Sequence, residues 1–168
     1  KRLAVVKGLI EQTEIPKNAA IKAGDDIEML IFEHLKQQDP RYESNPMLVS
    51  EKYSYNNVKL ISHPDLLMKD EALKIVYLYE VKTTKYSVEE TVTTYKPQLY
   101  IHYVMAKELA EKLGKEWSVR VFLVHYSTAG LNLEEGMEFD PTRITLKEIH
   151  FKGQLFDVSK GMAIINQF

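Results

Sequence analysis

Residues 61–85, ISHPDLLMKDEALKIVYLYEVKTTK, decide how the chain is read. The run 72–84 is β-branched and aromatic, the composition of a largely buried strand rather than an exposed edge. It nevertheless carries Glu80 and Lys82, which alternation along a strand turns to one face, while Tyr77, Tyr79 and Val81 turn to the other. Pro64-Asp65 stands where the preceding strand should end. If that strand pairs antiparallel with the next across the MKDEA turn, Asp65 falls beside Glu80. Two carboxylates and an ammonium among apolar strands cost stability unless something pairs them.

Working outward, NAAIKAGDDIEMLIFEHLKQQ (18–38) predicts a first helix, with Asn18 as N-cap and DPRYESNP (39–46) as its stop. Ile27, Leu30, Ile31, His34 and Leu35 recur at helical spacing as its apolar stripe. Glu28 lies on the edge of that stripe, in line with Gly24 and Phe32; Glu33 lies with Asp26 and Gln37 on the polar side. MLVSEKYSY (47–55) and VKLIS (58–62) flank Asn56-Asn57, a hairpin signal because asparagine tolerates positive φ. TTYKPQLYIHYVMAKELAEKLG (93–114) predicts a second helix, with Pro97 in its first turn and Gly114 just past its end. EWSVRVFLVHYS (116–127) is a strand, AGLNLEEGMEFDPT (129–142) a loop or short helix, RITLKEIHF (143–151) another strand or edge piece, and GQLFDVSKGMAIINQF (153–168) a closing helix. The order α-β-β-β-α-β describes an α/β domain with a mixed central sheet flanked by helices. One domain, 1–168, is expected, with its core at about 18–126 and a C-terminal extension at 127–168.

The 168 residues are 45% apolar and 27% charged, an ordinary globular balance. No apolar run reaches membrane-spanning length, and the N-terminal KRLAVVKGLIEQ is too short and too soon polar for a signal peptide. A soluble, cytoplasmic protein without a membrane partner is the expectation. The absence of cysteine excludes disulfides, thiolate zinc sites, iron–sulfur clusters and cysteine nucleophiles. A net charge of −2 argues neither for nor against a nucleic-acid partner.

Asp65, Glu80 and a main-chain carbonyl beside them are hard oxygen donors of the kind Mg²⁺ or Mn²⁺ takes, and a lysine ammonium can orient a water or offset charge on a phosphate. Pro64-Asp65, fourteen residues, then Glu80-Val81-Lys82 resembles the PD-(D/E)xK nuclease superfamily. The predicted element order is similar to its restriction-endonuclease-like core. Gly24-Asp25-Asp26-Ile27-Glu28 resembles the family's leading helix, where a Glu or His four residues after a glycine reaches the metal. Lys96-Pro97-Gln98-Leu99 resembles the Gln-Leu motif of the RecB-like branch, which includes helicase-linked, phage and CRISPR-associated nucleases. That branch has Tyr four residues after the Gln; here the position is His102, with Tyr103 one later and Tyr100 two after the Gln. The resemblance spans about 24–126.

The resemblance implies a Mg²⁺- or Mn²⁺-dependent DNA nuclease, exo or endo, acting in recombination, repair, replication or defence. A homodimer, or a helicase, recombination or CRISPR partner, comes with that expectation. Asp65, Glu80 and the carbonyl of Val81 would hold the metal, with Glu28 joining directly or through water. Lys82 would position the attacking water, and Gln98 would orient substrate or Lys82. The missing cysteines set the chain apart from the iron–sulfur members of the branch. Lys85, Lys96, Lys107 and Arg120 are candidate phosphate contacts, and Tyr95, Tyr100 and Tyr103 either stack on bases or pack. His34 reads as a core or boundary histidine, and His63 as an incidental neighbour of Asp65 or a support to it.

Plainer readings stand beside these. Glu80 and Lys82 would form a weak i,i+2 pair if their strand lay at an edge. Glu28 would be a solvated flank, and Gln98 would satisfy a backbone amide near a helix start. Two other functions remain open: a non-catalytic nucleic-acid-binding or scaffold domain with a nuclease fold, and a metal-dependent hydrolase of another substrate.

Overall fold

A computed structural model describes residues 19–135 and 138–151. Helix α1 (Ala19–Gln38) follows its predicted stripe: Ile27 and Ile31 are buried against the sheet, and Leu30 and Leu35 lie partly buried beside them. The predicted cap at Asn18, the segment 1–12 and the closing helix at 153–168 lie outside the described residues.

Seven strands follow: β1 (Glu43–Ser44), β2 (Leu48–Tyr55), β3 (Val58–Ser62), β4 (Leu66–Asp70), β5 (Ile75–Thr84), β6 (Ser118–Ser127) and β7 (Ile144–Ile149). β2 and β3 form the expected hairpin, with Asn56 and Asn57 at φ 48° and 64°, the positive values a tight hairpin turn requires. The hairpin is a separate two-stranded sheet. Pro64 divides the strand that the sequence reading ran on toward Asp65, so β4 and not β3 pairs with β5. The expected antiparallel register survives this correction, since Leu66 stands opposite Tyr79.

The main sheet runs β1-β4-β5-β6-β7. β4 and β7 are antiparallel to their neighbours, while β5 and β6 are parallel. β5 is therefore central, as its composition requires, and the edge-strand reading of Glu80 and Lys82 falls. β7 extends the sheet past residue 126.

Helix α2 (Val88–Leu113) is the crossover between the parallel strands. It begins earlier than predicted. Ser87 caps it by accepting from Glu90 N, while the Glu90 side chain accepts from Ser87 N, so Pro97 lies inside the helix and not in its first turn. Gly114 ends it at φ 151°, where a Cβ would meet the Glu116 carboxylate at 3.0 Å. α2 covers one face of the sheet, packing Leu99 over Leu78, Val121 and Leu123; α1 covers the other over Leu66, Tyr79, Val81 and Val124. Beyond β6 the described residues include two short 3-10 turns, Leu133–Glu135 and Pro141–Arg143. Among the described residues no helix is long and apolar enough to cross a membrane.

Candidate active site

The site lies where β4 stops short and β5 continues. Asp65 immediately precedes β4, and its Oδ2 accepts from Val81 N at 2.6 Å. A strand residue's N–H and C=O leave on the same edge, so the Val81 carbonyl faces the same gap. On the α2 face of β5, Glu80 is 2% exposed. Its Oε1 accepts from Lys82 Nζ at 3.0 Å and from Gln98 Nε2 at 2.8 Å. Lys82 Nζ also sits 4.2 Å from the centre of the Tyr95 ring, a cation–π contact that fixes the ammonium without neutralising it. Gln98 thus reaches Glu80 from within α2, and the reading of its amide as a helix-start cap is set aside.

Glu28 projects from α1 into the same neighbourhood, close enough to Asp65 that each carboxyl feels the other. Burial, then the charges of Glu80 and Glu28, push Asp65 up to about 8. Burial also raises Glu28, with Glu80 adding to the effect. Glu80 goes the other way: burial works to raise it, but the neighbouring His102 and Lys82 outweigh that and hold it below its usual range. The electrostatic strain is concentrated on the Asp65–Glu28 pair.

Glu80 Oε2 is buried and finds no hydrogen-bond partner among the described residues. His102 Nε2 lies 3.3 Å away, outside hydrogen-bonding alignment. Among the described residues no three His, Asp or Glu side chains converge as a ready ligand set for a metal ion. The reason is visible: Glu80 is drawn toward α2 by Lys82 and Gln98, while Asp65 and Glu28 face each other.

Other candidates fall elsewhere. Arg120 is held by both carboxylate oxygens of Glu148 at 2.8 and 2.7 Å, on the α1 face, where Asp65 and Glu80 do not reach it. Tyr100 and Tyr103 pack on Phe151, with ring centres 5.6 and 4.8 Å away. His34 is a boundary residue bonded to Gln38, and His63 is exposed. Two buried groups near the site had drawn little or no weight in the sequence. His102 stands one helical turn after Gln98, a spacing that turns it toward the site without marking it as a ligand, and the structure sets it beside Glu80 and Gln98. Ser62, which bonds to the His102 ring, has no local signal at all.

No protein-family model and no curated relative matches the sequence. Solved structures do resemble the fold. The crystal structure of SSO0001 is 16% identical with a TM-score of 0.54, over 85% of this chain and 56% of that one. A "Putative exonuclease" from Eubacterium rectale is 8% identical with a TM-score of 0.54, over 98% of this chain and 69% of that one. The chain thus spans only part of either protein. At such identities the likeness establishes the fold alone, an α/β domain built on a five-stranded mixed sheet flanked by helices.

Proposed function

We propose that this chain is a Mg²⁺- or Mn²⁺-dependent deoxyribonuclease of the RecB-like PD-(D/E)xK type. The observation that carries the reading is the placement of Asp65, whose bond to Val81 N sets a desolvated carboxyl next to Glu80 and Lys82 on the central strand. The donor set suits a hard divalent cation: the crowded Asp65 and Glu28 carboxyls, a main-chain carbonyl, and the buried Glu80 carboxylate. Asp65, Glu80 and the Val81 carbonyl would hold it, with Glu28 joining directly or through water. Such an ion, when bound, supplies Lewis acidity toward a phosphodiester oxygen and toward water.

The protein's own groups do the rest. Lys82, held between Glu80 and Tyr95, orients the attacking water and offsets charge gathering on the phosphate. Gln98 holds Glu80 in place so that Lys82 stays aimed. DNA is the proposed substrate, with ends or interior sites both open to attack.

Labelled linear and circular DNA, incubated with Mg²⁺, Mn²⁺ or EDTA, tests this. Metal-dependent cleavage by the wild type, absent in Asp65→Ala, is expected; loss of linear DNA alone would mark an exonuclease. No cleavage of either DNA would remove the reading. The second reading, a binding or scaffold domain, draws on the unconverged ligand set and predicts DNA binding without cleavage.

A further inference from the structure

His102 and Ser62 are each 5% exposed, and neither has a part in the mechanism above. Ser62 is the last residue of β3, and its hydroxyl bonds to His102 Nδ1. That leaves Nε2 facing Glu80 Oε2 at 3.3 Å and Gln98 Nε2 at 3.4 Å. Glu80 Oε1 is already doubly served by Lys82 and Gln98, so Oε2 is the oxygen in need of a donor.

The tautomer follows from what Nε2 meets. A lone pair there would face a buried carboxylate oxygen and gain at most a long bond from a neutral amide. A proton there meets an anionic acceptor, and such charge-assisted bonds are roughly twice as strong as neutral ones. A small ring rotation brings the bond into line. We propose that Ser62 and His102 form a positioning pair, in which Ser62 anchors the ring through Nδ1 and His102 Nε2–H holds Glu80 Oε2.

The pair ties the segment leading to Asp65 to the strand that carries Glu80. Ser62 lies three residues before Asp65, on the backbone that carries it, and the ring it anchors fixes the carboxylate on β5. Its effect on cleavage rests on the nuclease reading; the hydrogen bond itself does not.

The bond is tested on metal-free wild-type protein by ¹⁵N NMR of the His102 ring. A protonated Nε2 is expected, and a bare Nε2 would overturn the pair. Two variants separate positioning from packing, because the amide nitrogen of Gln falls near Nε2 and that of Asn near Nδ1. His102→Gln should keep Mn²⁺ affinity and cleavage within about threefold of wild type, while His102→Asn loses roughly tenfold to a hundredfold. Any result in which Gln fails to outperform Asn overturns the proposal. If neither variant folds, the wild-type ring spectrum decides alone. A wild type that shows the Nε2 proton but cuts no DNA would remove the nuclease reading and leave the pair standing.

Discussion

Two buried glutamates on the α2 side of the molecule have opposite surroundings. Glu108, on α2 and 4% exposed, accepts from Ser50 Oγ at 2.7 Å, Glu51 N at 2.7 Å and Lys52 N at 3.2 Å. These backbone donors come from the irregular stretch of β2 between Val49 and Ser54, where the hairpin ladder shifts register. Both of its oxygens are served. Despite burial, the Ser50 and backbone bonds keep Glu108 below the usual carboxylate range. Glu80 has one oxygen doubly bonded and one bare, with Asp65 and Glu28 crowding it. Satisfied buried charge holds a fold together; crowded, half-satisfied charge is the mark of a site.

The largest expected difference between the two is catalytic. Glu80→Gln should cut DNA cleavage by roughly a thousandfold or more while the protein stays folded, since the amide keeps the carboxylate's shape; the charge it gives up is one that His102 and Lys82 favour, so a small fall in melting temperature goes with it. Glu108→Gln should leave the specific activity of folded protein unchanged. A Glu80→Gln protein that cleaves normally would erase the distinction.

The reverse holds for stability. Glu108→Ala strands the buried Ser50 hydroxyl and the partly buried amides of Glu51 and Lys52, at a cost of about 2–4 kcal/mol in urea unfolding. A loss under about 0.5 kcal/mol would mean the hairpin docks on α2 without this clamp.

The two regions should also respond to pH with opposite sign. Glu108 is lowered in the folded state, so its contribution is present above its ordinary value of 4.5 and fades as pH falls through the folded value. Asp65 is raised from 3.8 to about 8, so its contribution is full below about 4 and is lost as pH rises through 8. In metal-free buffer, the wild type should lose stability relative to Asp65→Asn between pH 5 and 9. Parallel stability curves for the two proteins would show that Asp65 ionises freely and that the crowding is relieved.

Much of this contrast was legible in the sequence, but on one side only. Alternation along 75–84 sorts Glu80 and Lys82 from Tyr79 and Val81, and the structure keeps that sorting. The stripe of α1 and the Asn56-Asn57 turn were equally local, and both formed as read. The start of α2 differs from the reading that puts Pro97 in its first turn, because the capping box at Ser87–Glu90 sets the true start and a long helix anchored at both ends tolerates an internal proline. Glu108 drew no attention, and could not have: its partners are backbone amides some fifty-seven residues away, freed by a register shift that no local pattern announces. Ser62 was hidden for the same reason.

Gln98 marks the boundary between the two kinds of region and should give the smallest effect. It was expected at a helix start, leaning toward the site from the first turn; it reaches the site instead from the body of α2, donating to Glu80 Oε1 at 2.8 Å. That oxygen keeps a second donor, Lys82 at 3.0 Å, when the amide is removed. Gln98→Ala should therefore slow cleavage by only about threefold to tenfold, the worth of one hydrogen bond to a charged group that remains otherwise paired. The rise in melting temperature on adding Mn²⁺ should be almost unchanged, because the amide supplies no oxygen to the ion while it donates to Glu80. A loss as deep as that of Glu80→Gln would mean the amide touches the substrate itself, and would move Gln98 from holding a carboxylate to holding a phosphate.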